Sequence, residues 1–189
     1  MKSQDIVILL KLASLQEQDG LNPENGSSKS NGREDAYSVR GLEKSLGIGK
    51  SEVSASLNRS MDTGLAVKDH DTGRAKPNRR SLYGFIESGL KYVFPVKPGP
   101  ITRGIPTGFA APMLENSLVS AGEFIHVWPY SKGQVNGQTV EPLFKSVPDA
   151  IQKDERLYEY LALVDAIRLG RPREADLAAD QLKKRLLKR

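Results

Sequence analysis

Residues 38–65 read SVRGLEKSLGIGKSEVSASLNRSMDTGL, and the fold turns on how this stretch divides. The spacing predicts two short helices joined by a tight turn. Ser38 is a good N-cap, because its hydroxyl can accept from a free amide of the first turn. Leu42 and Leu46 fall one turn apart on one face. Gly47 can take a positive φ and stop that helix, and Ile48 is an apolar plug for the turn. A second helix starts near Gly49 or Lys50, with Val53, Leu57 and Met61 at intervals of four docking on Leu42 and Leu46. Its other face carries Lys50, Ser51, Ser54, Ala55, Asn58 and Arg59. Side chains of this kind can approach base edges and phosphates in a major groove. Gly49-Lys50-Ser51 resembles the end of a phosphate-binding loop, but Lys44 stands where that motif needs its first glycine. A helix, not a strand, precedes it, so nucleotide hydrolysis is rejected.

The chain that follows gives the helix pair its context. Asp62-Thr63-Gly64 ends the second helix and Leu65-Ala66-Val67 reads as a short strand. Residues 69–81, DHDTGRAKPNRRS, then form a polar hairpin with Arg74, Lys76, Arg79 and Arg80 and no acid between 74 and 80. Helix, turn, helix, glycine, strand and basic hairpin is the order of a winged helix. Residues 38–80 resemble bacterial winged helix-turn-helix transcription factors of the MarR-like type, with Lys50-Ser51-Glu52-Val53-Ser54 opening a helix similar to their recognition helix. The resemblance implies duplex DNA as partner. The helix from Lys50 would read bases, the basic hairpin would meet phosphate or the minor groove, and Arg40 would hold the flanking backbone.

Composition narrows the function classes. The formal charge is +5 and the pI about 9.4, which suits an anionic partner without requiring one. There is no cysteine, so disulfides, thiolate nucleophiles and cysteine-bound zinc are excluded. His70 and His126 are the only histidines, which argues against a histidine-rich metal site or a histidine-based triad. The apolar run Ile6–Leu10 is short and is followed by Lys11, so neither a signal peptide nor a membrane span is expected and the location reads as cytoplasmic. Glu141, Asp149 and Asp165 have no nucleophile or base at a recognisable spacing, and an enzyme is not expected. No cofactor is expected.

Outward from the helix pair, Ser3 to Leu15 predicts a supporting helix capped by Ser3, with Ile6, Leu9, Leu10 and Ala13 inward. Residues 17–36, rich in Gly, Ser and Asn, read as a flexible loop. Ser81 to Phe94 reads as a helix closing a winged domain over residues 1–94. Residues 95–116 hold five prolines and read as an irregular ordered crossover. In the region 95–189, Phe124–Trp128 reads as a strand containing a structural His126. Val135-Asn136-Gly137 reads as a turn into a second strand, and Ser146–Lys153 as a short helix. Asp154 caps a helix with Leu157, Leu161, Val164 and Ile167 inward, and Pro172 opens the last one. The expected class is mainly α with a small β component.

Gly89–Pro95, Thr102–Thr107 and Leu157–Arg168 resemble the region after the winged helix in AbiEi-type antitoxins of abortive-infection systems. That resemblance implies an autoregulating repressor whose C-terminal part neutralises a toxin. The leading expectation is a sequence-specific transcriptional regulator, a homodimer through its C-terminal helices. The alternative is a winged module that binds a protein partner.

Overall fold

The computed structural model describes residues 1–21, 35–114 and 124–187, and the fold is mainly helical with a small β component. Most of the long loop expected at 17–36 lies outside the described residues; α1 (Ser3–Leu21) runs into its start. Every residue from Gln4 to Leu15 is buried. Such a helix is a central post rather than an amphipathic support. Ser3 does not cap it: the Ser3 hydroxyl donates to the Leu143 carbonyl at 2.5 Å, while the Asp5 carboxylate accepts the Lys2 amide at 2.8 Å.

α2 (Val39–Leu46) begins where Ser38 Oγ accepts the Gly41 amide at 3.0 Å and ends at Gly47 with φ 63°. Leu42, Leu46 and Ile48 are buried as the spacing predicts. Gly41 has its own reason: a Cβ there would lie 2.4 Å from the Asp35 carbonyl oxygen, so only glycine lets the incoming chain pass. α3 (Lys50–Asp62) buries Val53, Ser56, Leu57 and Ser60, while Met61 is only half-buried. The buried stripe is therefore rotated from the expected 53/57/61. The short serine side chains let α3 lie close on α1, a contact that intervals of four do not reveal.

β1 (Ala66–Lys68) and β2 (Ala75–Pro77) pair antiparallel, with Val67 opposite Lys76. The hairpin stops at Pro77. Asn78 Oδ1 then accepts the Ser81 amide at 3.2 Å and caps α4 (Arg79–Ser88). Arg79 and Arg80 thus occupy the first turn of a helix, not the hairpin. Gly89 separates α4 from the short α5 (Leu90–Val93).

The proline-rich region departs from expectation. Residues 101–107 form β3 (Ile101–Thr107), whose first half pairs with β5 (Val135–Thr139) and second half with β4 (His126–Pro129). β4 and β5 pair parallel, so the three strands close on themselves. Gly104 pairs with both neighbours, and a Cβ there would meet the Trp128 carbonyl at 2.1 Å. Beyond it β3 has a partner on one side only. Pro106, which has no amide to donate, fits there, and its carbonyl accepts from the Tyr158 hydroxyl at 2.5 Å. Asn136-Gly137 is not a turn but lies inside β5. Gly137 is needed because a Cβ there would come within 2.5 Å of the Ile125 carbonyl.

α6 (Val147–Ala150) continues into one 3₁₀ turn at Ile151–Lys153. Asp154 caps α7 (Glu155–Leu169), accepting the Leu157 amide at 2.9 Å, and α8 (Pro172–Leu186) packs along it. α7 is buried almost all round and, like α1, is a core helix. One cluster of buried apolar side chains contains α1, α2, α3, α4, α7 and α8, so the core does not divide at residue 94. Polar pins cross it. Asp154 accepts from Lys11 Nζ at 2.7 Å and from Ser14 Oγ at 2.7 Å. Asp165 accepts from Trp128 Nε1 at 2.6 Å, Thr107 Oγ1 at 3.0 Å and Arg168 Nη1 at 2.7 Å. Burial pushes the Asp165 carboxyl up against the opposing pull of these donors.

Candidate nucleic-acid interface

The outer face of α3 is built by what the inner face buries. With Val53, Ser56, Leu57 and Ser60 inward, Lys50, Ser51, Ser54 and Asn58 project into solvent and Ala55 lies half-exposed between them. Among the described residues none of those four side chains has a partner in the chain. Glu52 shares the first turn but is drawn aside: Lys2 Nζ lies 3.1 Å from its carboxylate and Gln4 Nε2 donates to it at 2.5 Å. Glu43 on α2 accepts the Lys50 backbone amide at 3.1 Å and so ties the start of α3 to the helix before it.

Arg59 does not join this face. Its guanidinium turns inward and grips the buried Asp5 carboxylate, with Nε at 3.1 Å and Nη2 at 2.7 Å. Burial alone would raise the Asp5 carboxyl. The Arg59 guanidinium and the Lys2 amide outweigh it and hold the carboxyl below its ordinary value. The interaction pins α3 to α1, which explains a cation near the end of α3 without reference to any ligand.

Arg79 is likewise internal. Nη2 donates to the Ala13 carbonyl at 3.1 Å, and Nη1 to the Leu186 carbonyl at 3.1 Å and to Glu17 at 3.2 Å. Gln16 accepts as well. Glu17 also faces Arg156 Nε at 3.0 Å and the Tyr160 hydroxyl. One guanidinium thus joins α1, the first turn of α4 and the end of α8. Arg79, expected from the sequence to meet phosphate, has its donors taken by carbonyl and carboxylate partners within the chain.

Four of the expected cations remain on the surface besides Lys50. Arg40 and Arg80 are exposed and, among the described residues, have no acid within ion-pair distance. Lys76 lies 3.9 Å from Asp69, and Arg74 pairs with Asp35 at 3.2 Å. Two residues not expected belong here. Lys68, at the end of β1, is exposed and unpaired among the described residues. Tyr37 lies beneath Arg74, the guanidinium carbon 4.7 Å from its ring centre. Lys68 was legible as the basic residue following the strand run Leu65-Ala66-Val67; Tyr37 was not, because the sequence before it carries no apolar periodicity.

A second concavity lies on the other half. A groove of about 1000 Å³ runs between the closed strands and the start of α7, with Ile105, Pro106, Met113, Ile151 and Tyr158 in its walls and Lys132 and Lys153 among its lining. Residues 89–95, 102–107 and 157–168 meet beside it. Arg168 Nε donates to the Phe94 carbonyl at 3.1 Å, Tyr158 to Pro106, and Thr107 to Asp165. No helix among the described residues is long and apolar enough to cross a membrane. Comparison of the chain with protein-family models, with curated proteins and with solved structures gives no match.

Proposed function

We propose that the chain is a sequence-specific DNA-binding transcriptional regulator of the winged helix-turn-helix kind, acting in the cytoplasm as a repressor. The observation that carries this reading is the outer face of α3. The side chains of Lys50, Ser51, Ser54 and Asn58 are exposed together and have no partner among the described residues. A helix that buries one side and leaves small hydrogen-bonding groups on the other suits entry into a major groove. The hairpin next in sequence supplies Lys68, Arg74 and Lys76 for the phosphate backbone, with Arg40 and Arg80 flanking. A single helix-turn-helix reads few base pairs, so the reading includes a homodimer spanning half-sites about one helical turn, ~10 base pairs, apart.

The test is duplex binding as a function of salt. Each phosphate contact contributes a slope of about −0.9 in log K against log salt, so several contacts give steep dependence. Binding that stays flat from low to moderate salt would sink the reading. A binding-site selection then separates base readout from backbone contact. Asn58→Ala is expected to relax preference at one base position, because bidentate Asn–adenine pairing is worth about 1–3 kcal/mol of discrimination. The same motif recovered from parent and variant would remove Asn58 from the reading face.

A second reading is favoured by the groove beside α7. Its apolar walls, and the exposed Tyr92, Val93, Ile101, Phe124 and Ile125, suit a protein partner such as a toxin. A genomic neighbour whose product co-purifies with the chain at fixed stoichiometry would establish it. It is compatible with DNA binding by the other half.

A further inference from the structure

Arg74 differs from the other surface cations in the quality of its partner. Asp35, 39 residues earlier in the chain, presents both carboxylate oxygens to it. Arg74 Nε donates to Oδ2 at 3.2 Å and Nη2 lies 3.2 Å from Oδ1. This is the fork geometry in which a guanidinium also takes two oxygens of a phosphate. The carboxylate is held in place by its own turn: the Tyr37 amide donates to Oδ1 at 3.1 Å and the Ser38 amide to the Asp35 carbonyl at 2.9 Å. The Tyr37 ring lies under the guanidinium, and its hydroxyl donates to Asp19 on α1 at 2.6 Å. Burial and that bond push the Tyr37 hydroxyl up from its ordinary value. Gly41 is the third fixture, since no side chain there would let residues 35 and 36 lie where they do. The turn before α2 is thus a built support placed against the hairpin.

The ion pair itself is open to water, with Arg74 38% and Asp35 44% exposed in their side chains. Solvent screens such a pair, and another anion can exchange into it. Lys76 stands in the same small notch of about 160 Å³, with Gln16, Thr72 and Asp69. We propose that Arg74, Lys76 and the Tyr37 ring form a phosphate site, that Asp35 is its resident counter-ion, and that a DNA backbone phosphate displaces Asp35 on binding. The inference rests on the DNA-binding reading and deepens it. Tyr37 is a positioning residue that keeps the guanidinium plane oriented, and Asp35 lowers affinity for duplexes of every sequence alike.

The experiment compares parent, Asp35→Asn, Arg74→Ala and the double variant by fluorescence anisotropy with a labelled duplex of random sequence at several salt concentrations. Asparagine keeps an acceptor for the Tyr37 amide while removing the charge. Asp35→Asn is expected to bind about two- to fivefold tighter at low salt, the range spanned by an exposed ion pair. Its slope should steepen by up to about 0.9. Arg74→Ala should bind more weakly, and Asp35→Asn should add nothing on that background. In the parent, the Arg74 Nε–Hε resonance should shift when duplex is added. Equal or weaker binding by a folded Asp35→Asn, or the same gain without Arg74, overturns the inference alone. If Asp35→Asn fails to fold, the parent resonance decides: a signal unmoved by bound duplex overturns the exchange. A parent that binds no duplex removes the functional reading and this inference with it.

Discussion

Arg79 and Arg74 lie five residues apart in one basic stretch and have opposite fates. Arg79 sits at the foot of the hairpin, in the first turn of α4, with carbonyls from α1 and α8 and the Glu17 carboxylate around its guanidinium. Arg74 sits on the hairpin with one exposed acid and one ring. The first joins three helices that are distant in sequence; the second can change partners. The same contrast holds between Arg59, turned onto Asp5, and Lys50, in the first turn of the same helix with its side chain free in solvent. Charge density along a chain is therefore a poor map of charge on a surface, because a guanidinium long enough to reach phosphate is also long enough to reach a helix end.

The largest effect is expected at Arg79. Arg79→Ala leaves Glu17 short of a cation and strips donors from two carbonyls in a largely covered site. Losing this pair and both carbonyl bonds together should cost about 3 kcal/mol, with Glu17 still facing Arg156. Urea unfolding should show that loss as a lower midpoint. A variant as stable as the parent would mean the site is solvated and Arg79 belongs with the surface set.

Asp5 tests the second internal arginine and carries a pH signature. Because asparagine keeps an acceptor for the Lys2 amide and the Arg59 guanidinium, Asp5→Asn should cost less, about 1–2 kcal/mol. The Asp5 carboxyl titrates below its ordinary value in the folded protein. Its contribution is thus fully present above the unfolded-state pKa of about 3.9 and is lost as pH falls through the lower folded value. The parent should lose stability on that acid limb, and Asp5→Asn should lose correspondingly less. Parallel acid limbs for the two proteins would contradict the assignment.

Arg80 gives the smallest effect and the cleanest contrast with its neighbour. It is exposed and, among the described residues, unpaired. Arg80→Ala should leave stability within about 0.5 kcal/mol of the parent. If Arg80 meets phosphate, the slope of log K against log salt should flatten by up to about 0.9. Unchanged stability with an unchanged slope would place it outside the footprint.

Local chemistry was legible in the chain itself. Ser38 as a cap, Gly47 as a left-handed stop, Leu42, Leu46 and Ile48 as buried positions, Asp154 as a cap and Lys50–Asp62 as a helix depend on neighbours within a few residues. Each follows from hydrogen-bonding reach and helical spacing, which sequence states directly. The exposed row Lys50, Ser51, Ser54 and Asn58 follows from the same spacing.

What needed tertiary structure was every feature whose partner lies far along the chain. β3 is a strand despite Pro106 because one of its sides has no ladder to fill there, and Gly137 is a strand residue because the Ile125 carbonyl passes over it. α1 and α7 are buried all round because they pack on each other and on both halves of the molecule, so no single stripe marks them. Arg59 and Arg79 point inward because Asp5 and Glu17, more than 50 residues away, wait for them. Local propensity chooses the elements, but only packing brings together groups separated by so much chain, and it is those meetings that decide which charges remain free for a partner.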